Sequence, residues 1–405
     1  MSATAPVDLA VLITELQSVG LRIEVPAGGL EGRGIEARRG GAGPSDSGML
    51  WIEGVAATVP TDTAFARSSP YVLRPEEDGS GNGDFGIWRG GVRLAAATGT
   101  PRPRYYDLST AEGIPYWKIA LLHLDSLAST VLQTCSYWGN DDQCAFCGIG
   151  LSLAGHRTLA KKRPEQLAEV AVAAKELDGA VDATLTTGST AGVDKGALYV
   201  AACGAAVKEA AGLPVEVQFE PPDAGHLDVI DRVHDLGIDS VGIHVESFDP
   251  VVLARIAPAK ARTGIEGYFA AWARAVALFG EGQVSTYVIL GMGEDPDLTV
   301  AGCRRAVDMG VYPFVVPLRP IAGSLLEDCR PPSAEYTESI YRQVVPYLTA
   351  RGLGAKGVAA GCARCQACSA MGTMERVSAA AASSAAVSAP VPAPVTLSPT
   401  RARTA

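Results

Sequence analysis

The sequence predicts an α/β fold with a parallel sheet, and three observations lead to that prediction. Strand-like and helix-like segments alternate six times between residues 127 and 352. The strands are separated by amphipathic helices, which is the pattern of β-α-β units. Polar, glycine or cysteine residues follow the strands at their carboxyl ends, where the active residues of parallel α/β proteins gather. Six such units fit either a doubly wound sheet or a partial barrel.

Hydrophobic periodicity and turn residues place the individual elements. The six predicted strands are 129–133, 183–187, 214–220, 240–245, 284–290 and 312–318. The predicted helices begin at Pro164 and at about Val229, and cover 196–211, 268–279, 298–309 and 333–350. Pro164 stands at the favoured first position of a helix, and Gly237 ends the helix that contains Val229.

The N-terminal part of the chain differs from the remainder in composition and residue pattern. Glycine pairs at 28–29 and 40–41, and a glycine-rich segment at 79–83, mark turns. Short alternating segments such as 50–55 lie between the turns and are typical of small strands. We therefore expect residues 1–120 to form an irregular, β-leaning N-terminal region.

Composition divides the remainder into three parts. Residues 121–352 contain the strand–helix units, and residues 353–375 form a cysteine-rich loop. Residues 376–405 consist mainly of alanine, serine, proline and valine. Such a segment buries too little surface to offset its ordering entropy, so the sequence predicts a disordered tail.

Length, composition and charge exclude several classes of protein. A chain of 405 residues, 47% hydrophobic and 19% charged, has an ordinary globular composition with room for two or three domains. No apolar run approaches the roughly 18 residues of a membrane span, and the first residues do not resemble a secretory signal. The net charge of −10 provides no basic face for nucleic acid. We expect a cytoplasmic enzyme that binds neither membranes nor nucleic acid.

Three of the nine cysteines, Cys135, Cys144 and Cys147, fall in a loop directly after the first predicted strand. Thiolates at this spacing can converge on one metal centre, and they select zinc, copper(I) or an iron–sulfur cluster. Three thiolates are one fewer than the four that close a structural zinc site or saturate a cubane cluster. A cubane held by three cysteines keeps one iron open, so we interpret this loop as the reactive centre.

A second group of cysteines, Cys362, Cys365 and Cys368, follows the last predicted helix. Two successive Cys-x2-Cys steps are typical of ferredoxin-type iron–sulfur ligation. An auxiliary iron–sulfur cluster, a structural zinc site and a redox dithiol all fit this pattern. Cys329 or an atom of a substrate would supply a fourth ligand.

The first cysteine loop resembles the cluster-binding loop of the radical S-adenosylmethionine (radical SAM) superfamily, Cys-x3-Cys-x2-Cys with an aromatic residue before the last cysteine. Cys144, Phe146 and Cys147 match the second half of that motif. The first spacing differs, because eight residues separate Cys135 from Cys144. The extended loop and the C-terminal cysteines resemble a branch encoded beside nitrilases, with biotin synthase as a more distant relative.

The resemblance implies a TIM-like partial (β/α)6 barrel over about residues 127–352. It also implies a [4Fe-4S] cluster on Cys135, Cys144 and Cys147, with S-adenosylmethionine (SAM) on the open iron. A reduced cluster would cleave SAM to the 5′-deoxyadenosyl radical, which takes hydrogen from a small-molecule substrate. The electron would come from a donor such as flavodoxin or ferredoxin.

The resemblance further implies which residues bind SAM. The segment after the second strand, which resembles the part of the family that binds the methionine amino group, consists of Thr186, Thr187, Gly188 and Ser189. The segment after the fifth strand, beside the adenine, contains Gly291, Gly293 and Glu294. Glu246 is placed near the ribose or the substrate, and Arg262 is paired with the methionine carboxylate.

Two other functional classes fit the same residues. The first is a zinc-binding (β/α) protein, in which three thiolates and a water form the site. The second is an iron–sulfur electron-transfer protein without SAM chemistry. Both interpretations leave the motifs at the strand ends without a purpose.

Overall fold

A computed structural model describes residues 7–25, 45–76 and 85–378 of the chain. The glycine pairs at 28–29 and 40–41, the glycine-rich segment at 79–83 and all but the first three residues of the predicted disordered tail lie outside the described residues. Within those ranges, no helix has the length and apolar character needed to cross a membrane.

The N-terminal part contains a helix and a mixed six-stranded sheet. Helix α1 is Leu9–Val19, and the strands are β1 (Arg22–Ile23), β2 (Ser47–Ile52), β3 (Val55–Pro60), β4 (Tyr71–Pro75), β5 (Phe85–Arg89) and β6 (Val92–Gly99), in the order β1-β4-β5-β6-β2-β3. Asp8 caps α1 by accepting the backbone N–H of Ala10 at 3.0 Å. This helix is absent from the sequence-based assignment, although it buries Leu12, Ile13 and Leu16.

The main sheet has seven strands: β7 (Leu121–His123), β8 (Ser126–Thr130), β9 (Asp182–Thr186), β10 (Val215–Gln218), β11 (Ser240–Gly242), β12 (Val284–Leu290) and β13 (Val311–Pro317). Their spatial order is β13-β12-β11-β10-β9-β8-β7. Strands β8 to β13 are all parallel, and β7 pairs with β8 in an antiparallel hairpin. The α/β partial-barrel prediction is therefore confirmed. The predicted division into domains stays a prediction.

Helices join the parallel strands. They are α2 (Ile149–Ala154), α3 (Pro164–Asp178), α4 (Ala197–Ala211), α5 (Asp228–Asp235), α6 (Pro250–Ile256), α7 (Pro258–Phe279), α8 (Pro296–Asp308) and α9 (Ala334–Ala350), followed by the short α10 (Cys362–Cys365). Helix α7 begins ten residues before the predicted start at 268 and is broken at Gly264, whose φ is 68°. Helices α2 and α6 are absent from the sequence-based assignment, since both are too short to show a period.

The fourth strand ends earlier than the sequence predicts, at Gly242 instead of Val245. Beyond Gly242, hydrogen bonds that involve side chains help to connect this segment to β12. The Nδ1 atom of His244 accepts the backbone N–H of Tyr287 at 3.1 Å, and the Oγ1 atom of Thr286 accepts the backbone N–H of Val245 at 3.0 Å. The backbone of β11 therefore leaves the regular ladder two residues before His244.

The first parallel strand also differs from its predicted bounds, and Lys162 lies against its end. This lysine is buried, and its Nζ donates to the carbonyl oxygen of Thr130 at 2.6 Å and to Oε1 of Gln133 at 3.3 Å. Burial lowers the pKa of Lys162 to about 7, because no anion compensates the lost hydration. Lys162 therefore fixes the backbone from which the cysteine loop begins.

Replacing Lys162 with methionine is expected to remove a pH dependence of stability. The pKa in the folded state lies below that of an exposed lysine, about 10.4, so the unfolded chain binds more protons between pH 7 and pH 10. The free energy of unfolding of the parent protein should therefore rise by up to ~1.4 kcal/mol per pH unit across that window, relative to Lys162→Met. Denaturant unfolding from pH 7 to 9.5 measures the difference. The exposed neighbour provides the control Lys161→Met, and an equal slope in all three proteins would contradict the assignment.

The C-terminal cysteine segment is attached to the amino ends of the barrel strands. Arg364 donates to Asp182, the first residue of β9, and to Asp125, just before β8, both at 2.6 Å. The Oγ of Ser240, the first residue of β11, donates to the carbonyl oxygen of Ala360 at 3.2 Å. Further along, Ser369 hydrogen-bonds the edge strand β13, and Ala367 accepts the backbone N–H of Thr58 in the N-terminal sheet. This segment thus lies between the barrel and the N-terminal sheet.

Candidate functional site

The largest group of sequence-predicted site residues lies around one cavity of about 300 Å³ at the carboxyl ends of β8 to β11. Its walls include all three cysteines of the first loop, Cys135, Cys144 and Cys147, together with Phe146 and Glu246. The remaining predicted residues in its lining are Thr186, Thr187, Gly188 and Ser189. The fold therefore brings predicted residues from three separate segments to one place, as the strand-end argument predicts.

The cysteine loop is held by backbone hydrogen bonds to its neighbours. Ser136 donates its N–H to the carbonyl oxygen of Ser189 at 2.8 Å, and Ala145 donates to that of Ile256 at 2.7 Å. These bonds attach the two halves of the loop to the segment after β9 and to the end of α6. The loop is consequently anchored at both ends of its eight-residue first gap, and the longer spacing does not leave it unsupported.

The environment of the thiols is apolar. Burial raises the pKa of Cys144 to about 12 and that of Cys147 to about 11. Lys260 acts in the opposite direction on both thiols, whereas Cys135 raises the pKa of both. A metal that binds here must displace the protons, and the apolar surroundings then strengthen its bonds to the thiolates.

The donor set fits an iron–sulfur cube better than a single ion. Among the residues that the structure describes, no group of three or more His, Cys, Asp or Glu side chains is gathered closely enough to hold one metal ion. In a cube held by three cysteines, each thiolate binds a different iron, so the sulfurs are spread over one face of the cluster. Three soft ligands that line one cavity match that arrangement.

The segment after β9 lies directly against the cysteine loop. A Cβ on Gly188 would lie 2.2 Å from the carbonyl oxygen of Thr134, so only glycine fits between the two backbones. The Oγ of Ser189 donates to Glu220 at 2.6 Å, and Tyr137 donates to the other oxygen of Glu220 at 3.4 Å. The predicted binding segment is thus fixed to the cysteine loop through one carboxylate.

Glu246 occupies a strained position beside the cysteines. Its φ is 68°, in the left-handed region that few residues other than glycine adopt. Its carboxylate pairs with the Nζ of Lys260 at 2.6 Å, and that nitrogen also donates to the carbonyl oxygen of His244 at 2.8 Å. The charge of Glu246 raises the pKa of the buried Lys260, although burial itself opposes this. The cavity wall therefore carries a paired charge.

The predicted adenine segment and Arg262 lie outside the lining of this cavity. Glu294 folds the segment after β12 by accepting the N–H groups of Gly291 and Met292, both at 2.8 Å. Gly293 has a φ of 89°. Arg262 pairs with Asp142 in the cysteine loop, with one contact at 2.9 Å, and is exposed. The SAM-binding roles of these residues stay predictions.

Several lining residues were given no role from the sequence, and they are Gln133, Tyr137, Gln218, Glu220, His244, Lys260 and Ile321. Gln218, Glu220 and His244 stand at the ends of predicted strands, so the strand-end argument places them at this edge of the sheet without assigning them a role. Lys260 had no such signal, because it lies in a helix that periodicity placed only from residue 268. The ion pair with Glu246 could be recognised only from the fold.

The second group of cysteines lines a separate cavity of about 130 Å³. Cys362, Cys365 and Cys368 all contribute, and Ser126 and Thr184 place this cavity closer to the amino ends of the strands. Cys329 is exposed on the loop after β13. Leu326, three residues earlier, packs with Cys144 and Phe146 of the first loop. Cys329 is therefore not part of the lining of this second cavity.

Fold and site together define a parallel α/β barrel protein with a cysteine-lined cavity at the carboxyl ends of its strands. Residues 139–302 match the family model described as the radical SAM superfamily, which includes Cys144 and Cys147. This match over residues 139–302 confirms the resemblance that the cysteine loop predicts. The matched family implies a [4Fe-4S] cluster and SAM as cofactors. The assignment to a branch of the superfamily stays a prediction.

Solved structures similar to this chain include three radical SAM proteins. Methylornithine synthase (PylB) has a TM-score of 0.39 and 17% identity, over 54% of this chain and 61% of its own. A radical SAM methyltransferase from Sphaerobacter thermophilus has a TM-score of 0.43 and 17% identity, over 58% of this chain and 66% of its own. The FeFe-hydrogenase maturase HydG from Carboxydothermus hydrogenoformans has a TM-score of 0.41 and 19% identity, over 56% of this chain and 51% of its own. The chain thus spans less than two thirds of each. No curated protein matches it significantly.

Proposed function

We propose that this protein is a radical SAM enzyme that acts on a small-molecule substrate. When bound, a reduced [4Fe-4S] cluster supplies the electron that cleaves SAM to methionine and a 5′-deoxyadenosyl radical, which then takes a hydrogen atom from the substrate. The observation that carries this proposal is the position of Cys135, Cys144 and Cys147. All three line one cavity at the carboxyl ends of a parallel barrel, within or next to the segment that matches the superfamily.

We assign roles to the surrounding residues from their positions around the cavity. Cys135, Cys144 and Cys147 would hold the cluster. The segment from Thr186 to Ser189 would bind the methionine amino group, since it lines the same cavity as the cysteines. Glu246 and Lys260 form a paired charge that lets a polar ligand bind without an added net charge.

The predicted adenine and carboxylate sites complete the proposal for SAM. The segment with Gly291, Gly293 and Glu294 would lie beside the adenine. Arg262 would bind the methionine carboxylate, provided that it exchanges Asp142 for that group. Barrel walls keep water from the site, and the cofactors carry the chemistry.

The proposal is tested on protein purified without oxygen. Iron and inorganic sulfide are measured first, because an iron–sulfur protein contains both and a zinc protein contains neither. The loaded protein is then reduced with dithionite in the presence of SAM, and 5′-deoxyadenosine is measured. Formation of this product is expected. Loaded protein that forms none would point to electron transfer without SAM chemistry.

The second group of cysteines is proposed to hold an auxiliary iron–sulfur cluster. Cys362, Cys365 and Cys368 line one cavity together with the partly buried Tyr287 and the buried Gln218. Burial raises the pKa of the Cys365 thiol to about 12 and that of Cys362 well above its usual range. These thiols therefore resemble those of the first loop in burial. Cys329 is not among the residues that line this cavity, so a fourth ligand would be an atom of a substrate or a side chain of the lining such as His123.

Replacing Cys365 with alanine is expected to remove the auxiliary cluster and to leave the first cluster in place. Iron content should fall by about four atoms per chain, if the lost cluster is a cube. Formation of 5′-deoxyadenosine without substrate should persist, because the first cysteine loop is unchanged. Iron analysis and product assay measure the two effects. Cys203→Ala, at a buried cysteine of α4, is the control; unchanged iron in Cys365→Ala would contradict the second cluster.

Two further assignments belong to the proposal. The electron donor is a small reductant protein such as flavodoxin or ferredoxin, because cleavage of SAM consumes one electron. The compartment is the cytoplasm, because nine free cysteines, six of them in two metal-type groups, suit a reducing environment.

A further inference from the structure

The two cavities meet inside the barrel. Thr186 and Gln218, the last residues of β9 and β10, line both of them. His244 lines the first cavity, and Tyr287, whose ring lies edge-on to that of His244 at 4.8 Å, lines the second. A set of polar side chains, Thr186, Gln218 and His244, therefore separates the two groups of cysteines. We name this set the polar floor.

His244 presents a hydrogen-bond donor that none of the described residues accepts. Its Nδ1 accepts the backbone N–H of Tyr287 at 3.1 Å, so the ring proton of the neutral imidazole is on Nε2. The Nε2 atom is inaccessible to water, and it has no partner among the described residues. Burial, together with Lys260, lowers the pKa of His244 to about 3, so the ring stays uncharged. An unsatisfied buried donor costs about 1–3 kcal/mol, which a bound acceptor would recover.

Gln218 presents the complementary acceptor. Its Nε2 donates to Glu216 at 2.6 Å and to the sulfur of Cys362 at 3.5 Å. Glu216 is in turn fixed by the hydroxyl of Ser285 at 3.0 Å. The amide nitrogen of Gln218 is therefore used by the protein, and its Oε1 has no partner within the described part of the chain. Gln218 and His244 both lie beside Gly242, since side-chain atoms of each come within 3.0 Å of where a Cβ on Gly242 would be.

We infer that the polar floor is the substrate subsite, and that it binds an uncharged amide-type group. The carbonyl oxygen of that group would accept from Nε2 of His244, and its N–H would donate to Oε1 of Gln218. This inference rests on the proposed function, because it places the substrate between the SAM site and the second cysteine group. The inference adds to the proposed function the chemical class of the substrate group that the protein recognises.

The charges near the polar floor favour an uncharged group over a carboxylate. The nearest cation, Lys260, is already paired with Glu246 at 2.6 Å. Glu216 and Glu220 add further acidic groups around the floor. A carboxylate bound there would face these groups without a cation of its own, which is costly in a buried site. A neutral amide satisfies both free positions without that cost.

The test uses acetamide and acetate as probes of equal size on the anaerobic, cluster-loaded protein with SAM bound. Titration calorimetry or saturation-transfer NMR measures their dissociation constants. Acetamide is expected to bind in the millimolar range and acetate at least ~10-fold more weakly, since the discrimination rests on one buried polar contact. His244→Phe should weaken acetamide at least ~10-fold and leave the SAM dissociation constant unchanged. His226→Phe, at an exposed histidine, is the control.

A second variant, Gln218→Leu, removes the acceptor. It tests the same inference if His244→Phe fails to fold. Thermal melts establish whether each variant is folded. The inference is overturned if acetamide fails to bind the parent protein, or if acetate binds equally well. It is also overturned if both folded variants bind acetamide like the parent, or if they lose SAM in equal measure. Formation of 5′-deoxyadenosine by the same parent preparation tests the proposed function separately. A preparation that forms this product but ignores acetamide rejects the subsite alone.

Discussion

Replacing Cys144 with alanine is expected to abolish formation of 5′-deoxyadenosine. Cys144 lines the first cavity with Cys135 and Cys147, and with two thiolates left the cube cannot be held at three corners. Loss of a partner that merely supports a ligand costs ~10–100-fold in activity or metal affinity, so loss of the ligand itself should cost more. The measurement is product formation by anaerobically reconstituted protein, together with iron content.

The fold should survive this substitution. Cys144 is partly buried against Ala145 and Leu318, and alanine retains part of that contact. The free energy of unfolding of the metal-free protein should change by about 1 kcal/mol. Cys303→Ala is the matched control, because Cys303 is fully buried in α8 and contacts neither cavity. Full product formation by Cys144→Ala would remove this cysteine from the cluster and with it the central assignment.

The architecture could be predicted from the sequence because the hydrophobic period of a strand or a helix is visible within a single segment of the chain. The bounds of β12 are those predicted, since this strand is flanked by glycine and buried throughout most of its length. The cysteines, Phe146 and the segment from Thr186 to Ser189 were found because each directly follows a strand. Parallel strands bring such positions to one edge of the sheet whatever the helices between them do.

The rest of the site depends on contacts between distant segments. The orphaned donor of His244 exists only because its Nδ1 takes the backbone N–H of Tyr287, 43 positions away. The attachment of Arg364 to Asp125 and Asp182 joins residues 239 and 182 positions apart. No local pattern encodes such pairs. The position of the second cysteine group within the barrel could therefore not be predicted from its spacing.

Replacing Lys260 with methionine is expected to destabilise the protein by ~3–5 kcal/mol. The side chains of Lys260 and Glu246 are 14% and 9% exposed, and their charges are 2.6 Å apart. Methionine keeps the apolar stem but leaves Glu246 as a buried, unpaired carboxylate. It also removes the donor to the carbonyl oxygen of His244, in the stretch where Glu246 already has a strained backbone.

The pH dependence of this effect has a definite sign. The pKa of Lys260 is raised above its unfolded value by Glu246, so the stabilisation from the lysine charge is fully present below about pH 10.4. It would be lost only as the pH rises beyond that value. The difference between the parent protein and Lys260→Met should therefore show no pH dependence that originates from the lysine between pH 6 and pH 9. Urea unfolding at several pH values in this window measures it.

A matched control lies two residues further along the same helix. Arg262 forms an ion pair with Asp142, but its side chain is 60% exposed, so Arg262→Met should cost no more than ~1 kcal/mol. The double variant Glu246→Gln/Lys260→Met should recover part of the loss, because the unpaired charge is then removed. If Lys260→Met is no less stable than Arg262→Met, Glu246 must be hydrated in solution. The cavity wall would then carry an unpaired acid, and the exclusion of carboxylates from the polar floor would rest on that acid instead of on the ion pair.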